Sequence, residues 1–472
     1  MTARFQHLDT RGDSLTQLSQ FHDGLYTAEF PDADERESLE NMENYLRLKG
    51  QGGYGKNNYH IILTLDDDEN IVSGVVADYL AGPNVGLIEF IVTQPTLRGR
   101  GLGGSLLNEI ISCFIQDAIN AGHSGLAGIC GEVNDPYRQC EVEEHLDGFA
   151  RLRGWHRFGF RLLDFPYVQP PLSEHQHAVT GIALMFRSLR DDLATAMPAS
   201  LVEQIIREFQ IWAMRIPNPD EEPVFATMRD HLRTRSVIPQ LDMLEYIGEL
   251  EPAPFTPCVL REKDPRLPEF VALYQQEFHH DTTAVDVDSF ACGSHHQSGG
   301  PVPYDYWLWG LDRSDGSGFS GFASFFSFPH CGFGGYIAIT GGLRGQGHLR
   351  HLLRRLERCL VETNPRAFGW YIECEPASLE VSIFCHCGFA KVPMTYLQPR
   401  LPTDPSGVSE AKQLDLLYKP YGRSASPPVL PLSDLFRDVR EILTVVYCLE
   451  PQQAKTNLTR MTWPGNSTNV FA

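Results

Sequence analysis

The sequence predicts an α/β protein built from two similar domains in tandem. Three observations carry this prediction. An apolar, strand-like run, Leu87-Ile88-Glu89-Phe90-Ile91-Val92, leads through a glycine-rich turn into a helix-periodic segment. The second half repeats that order, with Tyr336-Ile337-Ala338-Ile339 leading through Arg344-Gly345-Gln346-Gly347-His348-Leu349 into another such segment. At 472 residues the chain is long enough for two domains of about 230 residues each.

In the first half, residues 14–26 and 35–48 read as helices. The acidic patch Asp32-Ala33-Asp34-Glu35 sits where it favours a helix N-terminus. Residues 59–65 and 71–79 read as two strands joined by the polar turn Asp66-Asp67-Asp68-Glu69-Asn70. After the motif strand and its glycine turn, Leu106, Leu107, Ile110, Ile111, Phe114, Ile115 and Ala118 recur at helical spacing on one face. Residues 126–133 form the next strand and 149–158 a short helix ending at Gly159. Strands flank Tyr167, and a last helix opens at Pro198-Ala199-Ser200.

The second half reproduces the series from about Pro265. Residues 306–311 and 319–328 form the strand pair, and Leu349, Leu352, Leu353, Leu356 and Leu360 mark the motif helix. Residues 368–374 form the strand after it. Gly388-Phe389 repeats Gly159-Phe160, and Tyr396-Leu397-Gln398-Pro399 repeats Tyr167-Val168-Gln169-Pro170. Leu416-Leu417-Tyr418-Lys419 matches Leu184-Met185-Phe186-Arg187, and the helix opening at Pro431-Leu432-Ser433 matches that at Pro198. These landmarks, in one order, indicate a duplication. The boundary lies near Glu251-Pro252-Ala253-Pro254-Phe255-Thr256-Pro257, which gives domains 1–250 and 251–472.

The turn Arg98-Gly99-Arg100-Gly101-Leu102-Gly103-Gly104 carries the chemistry. Glycines between a strand and a helix bring several backbone N–H groups to the helix N-terminus, where the dipole favours anions. A phosphate or pyrophosphate suits such a turn, although a glycine turn with no ligand has the same spacing. The dinucleotide fingerprint G-x-G-x-x-G does not match, and Gly103-Gly104-Ser105 lacks the lysine of the nucleotide P-loop.

Thr93-Gln94-Pro95-Thr96-Leu97-Arg98-Gly99-Arg100-Gly101-Leu102-Gly103 resembles motif A of the GNAT superfamily of acyl-CoA-dependent N-acyltransferases, Q/R-x-x-G-x-G/A with a proline three residues ahead. Gly159-Phe160 fits the family's late Gly-Phe pair. The resemblance implies two tandem GNAT-like domains, each a mixed, mostly antiparallel central sheet flanked by helices. It implies that Arg98, Gly99, Arg100, Gly101, Leu102, Gly103 and Gly104 grip the pyrophosphate of acetyl-CoA or another acyl-CoA. Ile91, Val92 and Thr93 would meet the thioester through the backbone. Asn134 would bond the pantetheine arm or the substrate; a turn residue ahead of a proline is the other reading of it.

The copies are unequal. Arg98, Gly101 and Gly103 keep the motif in the first, whereas Leu349 replaces the last small residue in the second and crowds the approach of the pyrophosphate. The first domain is expected to bind acyl-CoA and the second to serve a structural or substrate-cleft role. Many family members carry a Tyr acid four residues before the Gly of Gly-Phe. Here that position holds Trp155 in the first copy and Phe384 in the second, neither of which donates a proton as a phenol does. Glu89, nine residues before Arg98 on the motif strand, is the candidate catalytic base. A salt-bridged or edge-facing carboxylate is the alternative. The recurrent Tyr167 and Tyr396 point to a shared structural task.

No metal is expected. Cys385-His386-Cys387 lacks the C-x₂₋₄-C spacing of zinc pairs, and His279-His280-Asp281 and His295-His296 are no better placed. The net charge of −21 argues against nucleic acid or an anionic membrane as partner. No run of 18 apolar residues is present, and the N-terminal residues lack a signal-peptide core, so a cytoplasmic location is expected. Eleven scattered cysteines fit reduced thiols. The expected function is transfer of an acyl group, acetyl above all, to a small-molecule amine by direct attack in a ternary complex. A non-catalytic acyl-CoA-binding or scaffold protein is the second reading.

Overall fold

A computed structural model describes residues 4–31, 36–138, 147–171, 176–250, 253–261, 263–278, 302–399, 411–422 and 428–471. The chain divides into two compact units, Met1–Met243 and Leu244–Ala472. Each is a mixed, mostly antiparallel sheet with helices packed on it.

The first unit contains strands β1 (Arg4–His7), β2 (Asn58–Leu65), β3 (Ile71–Leu80), β4 (Val85–Thr93), β5 (Gly128–Asn134), β6 (Arg161–Leu163), β7 (Ile182–Ser188), β8 (Ala196–Pro198) and β9 (Val237–Leu241). Their order across the sheet is β1-β2-β3-β4-β5-β7-β6-β9-β8. Its helices are α1 (Gly12–Phe21), α2 (Thr27–Glu29), α3 (Leu39–Gly50), α4 (Leu102–Ala121), α5 (Gly148–Arg157), α6 (Ala199–Trp212) and α7 (Pro223–Arg233), with a short α8 (Met243–Tyr246) at the unit boundary. A π-helical turn, His22–Tyr26, joins α1 to α2. β4 and β5 are the one parallel pair among the described strands of this unit, and α4 is their crossover.

Apolar periodicity places α4. Leu102, Leu106, Leu107, Ile110, Phe114, Ala118 and Ala121 are buried against the sheet. Gly86 of β4 admits the Phe114 ring, because a Cβ there would lie 2.1 Å from it. One reading of this face is corrected. Ile115 is exposed and Ile111 only half-buried, while Asp117 is buried in their stead. Asp117 accepts hydrogen bonds from Asn58 Nδ2 at 2.7 Å and pairs with His60 Nε2 at 2.7 Å. Satisfied in this way, a carboxylate can occupy a position that periodicity alone assigns to an apolar side chain.

The second unit contains β10 (Phe255–Val259), β11 (Asp305–Arg313), β12 (Phe319–Ser327), β13 (Gly332–Ile339), β14 (Gly369–Cys374), β15 (Ala390–Lys391), β16 (Tyr396–Gln398) and β17 (Lys412–Pro420). Sheet order is β10-β11-β12-β13-β14-β17-β15, with β16 also on β17. Its helices are α9 (Leu267–Glu277), α10 (His348–Thr363), α11 (Leu379–His386), α12 (Leu432–Val445) and α13 (Pro451–Arg460). Strand for strand, β10 to β14 followed by β17 and β15 repeat β1 to β5 followed by β7 and β6, again with one parallel step, β13 to β14.

Other elements differ from the sequence reading. The helix expected over 35–48 begins at Leu39, where the Ser38 side chain accepts from the Asn41 amide at 3.1 Å. The acidic patch 32–35 and the histidines at 279–280 and 295–296 lie outside the described residues. The short strands β1, β8, β9 and β10 and helices α7 and α13 have no counterpart in the sequence reading, whereas β6 and β7 are the strands expected on either side of Tyr167. Three- to five-residue strands carry too little alternation to read. No described helix is long and apolar enough to cross a membrane. The cysteines resolved among the described residues are free.

The paired tyrosines do share a structural task. Tyr167 Oη donates to Glu132 on β5 at 2.5 Å, and Tyr396 Oη donates to Glu373 on β14 at 2.5 Å. Glu373 also accepts from Tyr447 Oη at 2.5 Å and Gln398 Nε2 at 3.1 Å. Burial pushes its carboxyl up to about 7 despite these donors. The folded state therefore binds this proton more tightly than the unfolded chain. The stabilisation is complete below the unfolded value near 4.5 and is lost as pH rises through about 7. Glu373→Gln is expected to flatten the fall in stability of this unit between those limits, measured by urea denaturation across a pH series.

Candidate active site

The site is built where β4 and β5 part. They are paired from Val85↔Gly128 as far as Ile88↔Gly131, and the paired register ends there. Beyond it β4 runs on to Thr93 and β5 to Asn134 without pairing to each other. Backbone groups of β4 that point toward β5 beyond Ile88 are thus open to a ligand. The opening starts at Glu89, and a β-bulge is the cause on the other side. Val76 of β3 lies opposite Phe90 and Ala77 opposite Ile88, so Glu89 is the extra residue.

At the end of β4 the chain makes the glycine turn. Gly99 and Gly101 take φ of 78° and 85°, a region that L-residues rarely enter. Gly101 is the N-cap of α4, and the first hydrogen bond of the helix runs from Ser105 N–H to Gly101 O at 3.0 Å. The amides of Leu102, Gly103 and Gly104 therefore have no partner inside the helix and face out of its positive end. Arg98 braces the turn: its Nε donates to Thr93 O at 3.2 Å and its guanidinium pairs with Glu29 of α2. Arg100 is exposed.

The remaining predicted residues are distributed as follows. Val92 is buried in the core, so its backbone alone faces a ligand, while Ile91 and Thr93 are half-buried. A Cβ on Gly103 would lie 3.4 Å from Thr93 Oγ1, which places that glycine at the mouth of the opening. Asn134 ends β5. Trp155, in the last turn of α5, stands edge-on to Phe160 at 4.8 Å and to Phe158 at 6.1 Å. Phe158 covers Gly104, since a Cβ there would lie 3.2 Å from its ring. An aromatic cluster thus flanks the first turn of α4.

Beside the opening is a small, partly open cleft lined by Glu37, Glu89, Phe90, Glu132, Gln169, Phe209, Ala213 and Met214. Three carboxylates line it. Glu37 is fixed by the Ser38 amide at 2.8 Å, Asn41 Nδ2 at 2.6 Å and Tyr45 Oη at 3.2 Å. Glu132 is held by Tyr167. Behind Glu89 lies Asp78 of β3, 1% exposed and within hydrogen-bonding reach of it. Burial first, then the neighbouring charge of Asp78, drives the Glu89 carboxyl well above the usual range, and burial raises Asp78 as well. Sequence reasoning found Glu89 but not Asp78, Glu37, Glu132 or Gln169. The lone acid in the apolar run Val75-Val76-Ala77-Asp78 was the available signal for Asp78.

The second unit has the same turn. Gly345 and Gly347 take φ of 78° and 81°, Arg344 Nε donates to Ile339 O at 2.9 Å, and Arg344 pairs with Glu277 of α9. The paired register of β13 and β14 likewise ends at Gly334↔Ile372, with a bulge alongside. The side chains differ. Leu349 stands for Gly103, Gly335 for Glu89 and, by register, Phe326 for Asp78. Phe384 packs edge-on to Phe389 at 5.5 Å, and His386 Nδ1 bonds Ser382 O at 2.7 Å within α11.

Residues 17–125 match the family described as acetyltransferase (GNAT). Among solved structures, the chain is similar to a Bacteroides thetaiotaomicron protein assigned to the GNAT acetyltransferases. Identity is 22% over 45% of this chain and 99% of that one, with a TM-score of 0.32. It is also similar to a tandem GNAT protein from the clavulanic acid biosynthesis pathway, at 12% identity over 90% of this chain and 100% of that one, TM-score 0.28. The PaiA N-acetyltransferase from Thermoplasma acidophilum, in complex with coenzyme A, matches at 12% identity over 40% and 99% of the two chains, TM-score 0.27. No curated protein matches the chain.

Nothing lies within 4 Å of where a Gly101 Cβ would be, so Gly101→Ala isolates the cost of its backbone conformation. A loss of about 1–2 kcal/mol of first-unit stability is expected from chemical denaturation.

Proposed function

Because the chain carries a domain of the acetyltransferase (GNAT) family within residues 17–125, we propose that it transfers an acetyl group from acetyl-CoA to the amine of a small cationic molecule, in a ternary complex formed by the first unit. One observation carries this reading: the unpaired edge of β4 runs from an acid-lined cleft at Glu89 and Phe90 to Thr93, beside the free amides at the head of α4.

The residues fit each task. The amides of Leu102, Gly103 and Gly104, at the positive end of a 20-residue helix, suit a pyrophosphate. Gly103 leaves room where a branched side chain would obstruct, and Arg98 keeps the turn in shape from behind rather than reaching forward. The edge of β4 from Glu89 to Thr93 suits the amide-rich pantetheine arm, and an N–H there is the candidate donor to the thioester oxygen as it gains charge. Glu37, Glu89 and Glu132 attract an ammonium group, while Phe90, Phe209 and Met214 suit an apolar body. Glu89 takes a proton from the ammonium, which frees the nitrogen lone pair for attack on the thioester carbon. Trp155 cannot protonate the departing sulfur, so that proton comes from the attacking nitrogen.

The second unit is assigned a structural or cleft-forming role, with the domain division of the sequence reading retained. Its loop backbone alone does not disqualify it. What it lacks are the acids, since Phe326 and Gly335 stand where Asp78 and Glu89 stand in the first unit.

Calorimetric titration with acetyl-CoA tests the coenzyme half of this reading. One site per chain is expected, lost in Gly101→Glu and kept in Gly347→Glu. Two sites would overturn the division of labour, and no binding would overturn the coenzyme assignment. Turnover of a screened panel of primary amines, followed by thiol release, is expected to fall by 10²-fold or more in Glu89→Gln. Binding without turnover for every amine favours a non-catalytic acyl-CoA-binding protein, in keeping with Trp155 and Phe384 at the positions of a Tyr acid.

A further inference from the structure

Asp78 is the least explained charged residue of the first unit. It is 1% exposed, in the interior of β3, and neither carboxylate oxygen has a hydrogen-bond donor. Glu89 Oε1 is likewise enclosed without a donor. The two carboxyls are within hydrogen-bonding reach of each other across the β3–β4 ladder, where Asp78 lies opposite Leu87, two residues before Glu89. Two enclosed acceptors in contact are satisfied together only when one carries a proton. The second unit replaces both at once, by Phe326 and Gly335, as expected of groups that work as a pair.

We propose that Asp78 is a positioning residue for acyl transfer, sharing one proton with Glu89 so that the base of this site is a carboxylate pair bearing a single negative charge. The inference rests on the acetyltransferase reading above and deepens it. With Glu89 facing the cleft, Asp78 acts through it.

The surroundings bear on the charge of the pair. Glu37, from the segment before α3, adds a like charge, and Glu132 faces the same cleft from β5. Two cations oppose them, Lys49 of α3 and Arg215 after α6. Arg215 is held at φ 56° with its guanidinium 4.2 Å from the Tyr45 ring and 5.2 Å from that of Tyr54, and it donates to Tyr54 Oη at 2.5 Å. Tyr26, Tyr45, Tyr54 and Tyr59 remain neutral, because burial raises each above its ordinary value.

The proton account closes. An N–H bond of the substrate ammonium breaks as an O–H bond forms on Glu89, leaving the pair neutral. The amine adds to the thioester carbon, forming C–N. The C–S bond then breaks, and the second nitrogen proton goes to the sulfur, giving the thiol. The pair returns its extra proton to water in the cleft.

Infrared difference spectroscopy at neutral pH reads the shared proton without substrate. A carboxylic-acid carbonyl contribution beyond that of the other raised carboxyls, such as Glu373, is expected in the wild type, and that contribution is expected to be lost in Asp78→Asn and, independently, in Glu89→Gln. Equal band intensity in the wild type and both variants would overturn the proposal. For the reaction, the acidic limb of kcat/KM should move to higher pH in Asp78→Asn, since an amide stabilises the Glu89 carboxylate less than the shared proton does. The plateau kcat should fall about tenfold as the base loses its partner. A fall in kcat with an unmoved acidic limb indicates a merely structural role and refutes the positioning role. If the wild type shows the band but turns over no amine, the acyl-transfer reading fails and Asp78's part in it falls, while the shared proton stands.

Discussion

Two parallel strands that separate partway along their length set the terms for everything else in the first unit. Up to Ile88 and Gly131, β4 and β5 satisfy each other's backbone groups; after that they cannot. An open backbone edge inside a domain is tolerable only where water or a ligand reaches it. The glycine turn is the second consequence. It must carry the chain from the free end of β4 into α4 while leaving three amides exposed, and left-handed φ at Gly99 and Gly101 accomplishes this within a few residues. The bulge at Glu89 is the third. By inserting one residue opposite β3 at the point of separation, it brings that carboxylate to the cleft with Asp78 at its back.

The two units show that this backbone geometry and its chemistry are separable. Both have the strand divergence, the bulge, the left-handed glycines and the arginine that ties the turn to a preceding helix. These are properties of the fold. The enclosed acid pair is confined, among the described residues, to the first, and it is costly. Burying a carboxylate without donors costs several kcal/mol unless a proton or a counter-charge relieves it. Phe326 and Gly335 avoid that cost in the second unit, where the comparable energetic concentration is the Glu373 hub, remote in kind from acid–base work because all three of its partners are fixed donors.

Much of the architecture was legible because duplication marks it twice. Recurring Gly-Phe and Tyr-x-Gln-Pro landmarks located equivalent strands that no single propensity would have found. The motif strand and helix were legible from periodicity and glycine spacing. What escaped were features that depend on register. Asp78 and Glu89 are eleven positions apart in the chain and meet because a hairpin and a bulge align them. Glu132 and Gln169 reach one cleft through the pairing of β5 with β7 and a bridge from Gln169 to Val179. Counting nine residues back from Arg344 would have exposed Gly335, the sharpest difference between the copies, from the sequence itself.

Arg215 shows how such a site is kept usable. A left-handed backbone at a non-glycine residue costs on the order of 1 kcal/mol and persists where surrounding contacts over-determine it. Here three aromatic rings, Tyr45, Tyr54 and Trp212, hold the guanidinium within 6 Å of their faces, and the cation lowers the charge burden of Asp78 and Glu89. In the proposed role of the pair, a direct ion pair would quench the base, whereas a cation held by aromatic faces moderates the field and leaves the carboxylates free to exchange a proton. On that proposal the strain at Arg215 is the cost of placing a positive charge near, but not on, the two acids.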